Sequence, residues 1–518
     1  MRQIVRAAGV LAVLLFSLPL QAQIEVTRVT GGQLQGQVAD GIASFKGIAF
    51  AAPPLGANRW RSPQPVQPWS GVRKADAFAP ACLQKPSNIS GILGLPDRFS
   101  EDCLYLNVWT PAKSASERLP VMVWIYGGGF SEGGTGIPSY DGARLAARGV
   151  VLVTVGYRLG AFGFLAHPEL SHESGRGSGN YGLQDQIAAL RWVHTNIRRF
   201  GGDAGRVTIF GESAGGMAVS LLTTAPAAQG LFHRAIAESG SVFAPRGTTP
   251  LKQSEESGRK FIAALGVADI AAARQLPAAK ILDTAGRFGP TLDGDVIVGS
   301  LYDLYSSGRF NGTPVLLGTN SDEGALFIAG PVTPEAFTRQ VTAGYAGEGA
   351  QRILAAYPHA DGASSLKAAR GLMRDSSLAW SAWTWARLQS RQDGKGSIYL
   401  YYFDHPTPAS PDGSAHIAEV PFVFGNLAGL PTLFTDGDTR GERTLSDLIG
   451  SYWVNFAKRG DPNGPGLPPW PTFTQGSPKT MHFDTHPQAR DGVPNEDRLR
   501  LFEPYLIPQG AAPTARAQ

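Results

Sequence analysis

Short apolar runs alternating with longer amphipathic stretches limit what this chain can fold into more than any other feature. Residues 121–126 (VMVWIY), 150–155 (VVLVTV), 207–210 (VTIF), 315–318 (VLLG) and 398–403 (IYLYYF) have the length and the β-branched or aromatic content of buried strands. Between the second and third, Leu183, Ile187, Leu190, Val193 and Ile197 fall on one face of a helix that Gly201 and Gly202 should stop. Leu445, Leu448, Ile449, Tyr452, Trp453 and Phe456 mark another helix near the C-terminus. Strand, helix and strand in repetition imply an α/β protein with a mainly parallel, twisted sheet covered by helices. Residues 332–392 break the alternation and read as helical throughout, an insertion over the C-terminal edge of the sheet, where substrate pockets form. Trp380, Trp383 and Trp385 cluster there and read as core packing rather than a substrate wall.

At 518 residues the chain exceeds an ordinary single domain, yet it shows no internal repeat, and residues 23–508 read as one large α/β unit. Hydrophobic residues make up 43% and charged residues 17%, which supplies a core and excludes a disordered chain. The formal charge of +4 is small, and no Lys/Arg block stands out, so nucleic acid is not an expected partner. Residues 1–22 read as a signal peptide: Arg2 and Arg6 precede an apolar stretch over 7–20, and Leu20-Gln21-Ala22 is a loose cleavage site. That stretch is short for a membrane span, and none longer follows, so the expected product is secreted or periplasmic with no integral membrane segment. In an exported chain, Cys82 and Cys103 suggest one disulfide, contributing roughly 3 kcal/mol by restricting the unfolded chain. The polar, small-residue tail 509–518 is expected to be disordered.

The pattern G-x-S-x-G occurs twice, around Ser131 and around Ser213, so the letters alone decide nothing in a chain with 64 glycines. A nucleophilic serine of this type sits on a tight turn between a strand and a helix. Ser213 has the strand VTIF before it and the apolar run 217–222 (MAVSLL) after it. Ser131 is followed by Gly133, Gly134, Gly136 and Pro138, which cannot start a stable helix. Ser213 is therefore the expected nucleophile. The amide of Ala214, at a helix N-terminus, would point at developing negative charge, and Gly127-Gly128-Gly129 after strand 121–126 would supply further donors.

A serine hydroxyl needs a base, and the base needs a third group to hold its tautomer, in the chain order Ser, Asp or Glu, His. After strand 315–318, Asp322 and Glu323 stand side by side, and spacing cannot choose between them. His416 lies in a loop after strand 398–403; His405, at the end of that strand, is its rival.

These segments carry a family likeness. The chain resembles the type-B carboxylesterases, which include bacterial para-nitrobenzyl esterases, mammalian carboxylesterases and cholinesterases. The matching stretches are 101–109 (EDCLYLNVW), 124–130 (WIYGGGF), 157–165 (YRLGAFGFL), 200–203 (FGGD), 210–216 (FGESAGG), 320–324 (NSDEG) and 413–425 (GSAHIAEVPFVFG), spanning roughly residues 26–504. The resemblance implies the α/β-hydrolase fold, with Ser213 as nucleophile, His416 as base and Glu323 as acid. It implies Gly128, Gly129 and Ala214 as oxyanion donors, a Cys82–Cys103 disulfide, and supporting roles for Glu212 and Ser239. It calls for neither cofactor nor metal. Cholinesterases hold choline against a tryptophan inside the first disulfide loop, but residues 83–102 here contain none, with Phe99 the sole aromatic. Choline esters are therefore not the expected substrates.

The function implied is hydrolysis of small-molecule carboxylic esters through an acyl-enzyme, by a monomer or weak oligomer. Lipase action, or cleavage of polyesters, amides or carbamates, would use the same machinery, although no long amphipathic lid is apparent. A non-catalytic binding protein of this fold would have lost the serine, which this chain keeps.

Overall fold

A computed structural model describes residues 23–507, except 245, 246 and 438. The signal-like segment 1–22 and the tail 509–518 lie outside the described residues. An 11-stranded sheet organises the rest. Its strands, in chain order, are β1 (Gln37–Ala39), β2 (Ile42–Ala49), β3 (Tyr105–Thr110), β4 (Leu119–Ile125), β5 (Val151–Val155), β6 (Gly202–Glu212), β7 (Arg234–Glu238), β8 (Val315–Asn320), β9 (Ile398–Phe403), β10 (Lys479–Phe483) and β11 (Gln488–Asp491). Their spatial order is β11-β10-β9-β8-β7-β6-β4-β5-β3-β2-β1. Strands β5, β4, β6, β7, β8, β9 and β10 pair parallel, while β3, β2 and β1 on one side and β11 on the other run antiparallel to their neighbours.

The parallel centre explains the apolar runs. Helices cover both faces of such a sheet, so residues such as Val121 to Ile125 in β4 are fully buried whichever way they point. Each aliphatic side chain so buried contributes about 1.5–3 kcal/mol. Two buried strands that the runs did not reveal, β3 and β7, carry polar or small residues. In β3, Asn107 donates to Thr154 Oγ1 at 2.9 Å and accepts from the Gly47 amide at 2.9 Å, and Thr110 donates to Phe200 O at 2.8 Å. Strand β7 (RAIAE) is short and alanine-rich.

The helices that bear on the site are α1 (Asn88–Ile92), α2 (Tyr181–Asn196), α3 (Ala214–Leu222), α4 (Pro334–Gly344), α5 (Gly347–Ala356), α6 (Gly362–Met373), α7 (Trp380–Gln389) and α8 (Arg440–Arg459). A π-helical stretch, Arg374–Ala379, joins α6 to α7. Helix α2 passes through a 3-10 turn and ends where Gly201 adopts φ +76°, a left-handed conformation that glycine takes without strain. Trp380, Trp383 and Trp385 in α7 are buried; the Trp385 ring packs on Phe243 and Tyr305, and the Arg387 guanidinium lies 3.5 Å from the centroid of Trp383.

Candidate active site

Strand β6 ends at Glu212 and helix α3 begins at Ala214, leaving Ser213 alone in the turn. Its backbone has φ +55° and ψ −123°, a conformation that costs a non-glycine residue about 1–3 kcal/mol and persists only where neighbours enforce it. The enforcement is visible. The Ser213 amide donates to Glu238 O at 2.9 Å, and Ser213 O accepts from the Met217 amide at 2.8 Å. A Cβ placed on Gly215 would stand 1.9 Å from Ile125 O, so the turn can press on β4 only because that residue has no side chain.

The loop after β4 lies against the same turn: a Cβ on Gly127 would come within 2.9 Å of Ser213 Cβ. Among the described residues, nothing accepts a hydrogen bond from the amides of Gly128, Gly129 or Ala214. Three free donors, one of them the first residue of a helix, gather beside the Ser213 turn, where a developing oxyanion would be stabilised. Ser131, the other G-x-S-x-G serine, sits in this loop with no helix following, and its hydroxyl donates to Gly128 O at 3.1 Å.

Glu323 opens a 3-10 turn just after β8, and its Oε1 accepts from the Asn320 amide at 2.8 Å. Its Oε2 lies 2.5 Å from Nδ1 of His416, which comes from the loop after β9. The other ring nitrogen, Nε2, lies 3.0 Å from Glu212 Oε1 but without the alignment of a hydrogen bond. Burial disfavours the charged imidazole, yet the Glu212 and Glu323 carboxylates outweigh it and raise the His416 pKa well above the ordinary 6.5. Burial likewise raises the Glu212 carboxyl, against the pull of His416.

The rivals go elsewhere. Asp322 faces Arg370 at 3.2 Å rather than an imidazole. His405 packs on Phe403 and Phe422 and lies 3.4 Å from Glu442 in α8.

Behind the histidine lie two buried carboxylates that the sequence did not single out. Glu419 accepts from Asn320 Nδ2 at 2.5 Å, and more distantly from the hydroxyls of Ser239 and Tyr401, each at 3.4 Å. Burial first, then the charges of Glu212 and Glu323, pushes its carboxyl up to about 8. Glu238 accepts from Trp453 Nε1 at 2.7 Å, and burial raises its carboxyl well above the usual range. The available signal was positional: Glu419 follows His416 by three residues, and Glu238 directly precedes Ser239.

Ser213, His416, Glu212, Gly128 and Gly129 all line one cavity of about 370 Å3, within the range for small-molecule sites. Its remaining walls are mostly apolar. Ile89 and Leu93 come from the loop that the Cys82–Cys103 disulfide closes. Met373 and Leu378 come from the end of α6 and the π-helical stretch, and Phe327 lies with its ring centroid 5.0 Å from that of His416. None of the clustered tryptophans lines it.

Comparison with known proteins agrees with this architecture. A sequence model of the carboxylesterase family matches residues 19–501. The chain is 38% identical to a fumonisin B1 esterase of Sphingopyxis macrogoltabida, across 92% of this chain and 90% of that one. It is 37% identical to a para-nitrobenzyl esterase of Bacillus subtilis (strain 168), across 91% and 97% respectively. A solved structure of a PNB esterase superposes with a TM-score of 0.80 at 35% identity, covering 92% of this chain and 100% of that one. The fold is thus that of the α/β-hydrolases.

Proposed function

The chain belongs to the carboxylesterase family, and from that premise we propose that it cleaves carboxylic esters by acyl transfer through Ser213, His416 and Glu323. That it is a carboxylic-ester hydrolase acting on small-molecule esters follows from the family and from relatives named as esterases. The Ser213 oxygen attacks the ester carbonyl while His416 Nε2 takes its proton. The carbonyl oxygen becomes an anion held by the amides of Gly128, Gly129 and Ala214. Collapse of this intermediate breaks the bond to the alcohol oxygen, which receives the proton from His416 and leaves. Water, deprotonated by the same nitrogen, then attacks the acyl-serine, and the carboxylic acid departs as Ser213 regains its proton. Glu323 keeps a proton on Nδ1, so that Nε2 carries the lone pair, and Glu212 adds stabilisation to the imidazolium.

One observation carries this reading: an imidazole fixed at Nδ1 by a carboxylate 2.5 Å away, with no aligned hydrogen bond at Nε2, in the cavity that Ser213 lines. A panel of nitrophenyl esters of increasing acyl length tests it, together with labelling by a fluorophosphonate probe. Ser213→Ala should lose about 10⁴-fold or more in kcat and all labelling. Undiminished hydrolysis by that variant would overturn the assignment.

The proposal extends to export, as a periplasmic or secreted monomer or weak oligomer. The signal-like segment 1–22 and the Cys82–Cys103 disulfide support the compartment. Activity confined to the cytoplasm, on a chain that retains residues 1–22, would rule it out. Among the described residues no helix is long and apolar enough to cross a membrane.

A further inference from the structure

A second cavity, of about 510 Å3, meets the first at the turn carrying Gly129 and Ser131, which borders both. One of the free oxyanion amides therefore sits at the junction between two lobes. The lobes differ in charge. In the lobe that holds Ser213 and His416, the carboxylates are Glu132 and Glu212, and neither lysine nor arginine lines it. Glu132 accepts from the Ser87 amide and hydroxyl, each at 2.9 Å, and from the Ser90 hydroxyl, so it is fixed there. In the second lobe the charged groups are Lys85 and Arg287, and no aspartate or glutamate lines it.

Both cations are well placed to meet a ligand. The neighbour of Lys85, Gln84, is clamped by two bonds to the Gly133 backbone, each 2.7 Å, which fixes the segment at the cavity wall. The Lys85 ammonium lies 2.9 Å from Asp283, so that pair adds no net charge and Arg287 supplies the positive excess of the lobe, with Lys85 offering donors. Arg287 makes no ion pair with any described residue, and its exposed guanidinium presents its donors in a fork suited to an anion. The floor between them is apolar, with Leu159, Phe162 and Phe288.

The geometry points to esters of two unlike halves as the preferred substrates: an apolar half in the lobe beside His416, and a half bearing a carboxylate or similar anion in the lobe of Lys85 and Arg287. This rests on the esterase reading above and names the substrate class of that same site. An anion would meet the fixed Glu132 carboxylate in the first lobe and the unpaired Arg287 guanidinium in the second, so charge sets the direction in which the substrate lies.

The test uses three esters: neutral 4-nitrophenyl butyrate, 4-nitrophenyl hemisuccinate with the anion on the acyl half, and 4-carboxyphenyl butyrate with the anion on the alcohol half. One of the two anionic esters should exceed the neutral one in kcat/KM, which also tells whether the acyl or alcohol half enters the second lobe. Replacing both Lys85 and Arg287 by alanine should then raise KM for that ester about tenfold, the scale of one charge-assisted hydrogen bond. The neutral ester should change by less than about twofold, and added salt should narrow the difference in wild type. If both anionic esters are poorer than the neutral one, or if the double variant affects charged and neutral esters alike, the inference falls while the esterase reading stands. If wild type hydrolyses none of the three, the esterase reading falls first.

Discussion

Ser213 is held by main chain, and His416 is held by side chains. At the serine, both peptide groups of the residue are tied, to Glu238 O and the Met217 amide, and the glycines at 127 and 215 let three segments close around it. At the histidine, a carboxylate holds one nitrogen and another stands beside the second, neither of them contiguous with it in sequence. The first arrangement fixes a position by sterics, insensitive to protons. The second fixes a tautomer and a basicity by charge, and so depends on protons. Changes on the two sides should therefore fail differently.

Among the groups that position the serine and the histidine, the largest effect is expected from Glu323→Gln, which keeps the shape but offers Nδ1 an ambiguous partner. Turnover of nitrophenyl esters should fall by about 10⁴-fold with the fold intact by circular dichroism. Gly215→Ala tests the main-chain side. Its new Cβ meets Ile125 O, which must move the serine turn, and a displacement near 1 Å costs about 10²-fold in kcat, with a lowered Tm. Wild-type kcat in that variant would show that sterics do not fix the nucleophile.

Glu212→Gln sharpens the contrast through pH. The raised His416 pKa places the acid limb of kcat/KM above 6.5; removing the Glu212 charge should move that limb to lower pH while lowering the plateau about tenfold. A limb that stays in place would mean that Glu212 does not stabilise the imidazolium.

The smallest effect on rate, within about tenfold, belongs to Glu419→Gln, whose signature lies in stability. The Glu419 carboxyl titrates near about 8 when folded against an ordinary 4.5, so between these values the folded state holds a proton that the unfolded chain has released. Stability therefore falls as pH rises through that window. The raised His416 pKa acts in the same direction: its contribution is complete below 6.5 and is lost as pH rises through the folded value. Melting temperatures from about pH 5 to about pH 8 should decline in wild type and decline less in the glutamine variant; parallel curves would remove Glu419 from the account.

The same division decides what could be read from sequence. The serine turn was legible because its requirements are local: a strand, small residues, then a helix, within a dozen positions. Five of the seven parallel strands were legible as apolar runs because both of their faces are covered. The choice of Glu323 over Asp322 was not, since the adjacent carboxylates differ only in what each meets, His416 for one and Arg370 for the other. That choice came from the family resemblance. Glu238 and Glu419 left only their positions beside Ser239 and His416, because a buried carboxylate declares itself through partners drawn from distant elements. Strands β3 and β7 were hidden for a similar reason, their polar or small residues being accommodated across the fold.

The helical segment 332–392 has a double attachment. Met373, Ser377 and Leu378 face the cavity, while on the same stretch Arg374 donates to Ser321 O at 2.5 Å, and Arg370, one turn earlier, holds Asp322. The cavity wall and the footing of Glu323 thus share a single piece of chain. Diversification aimed at this wall, whether by selection or in the laboratory, will reshape selectivity and basicity together.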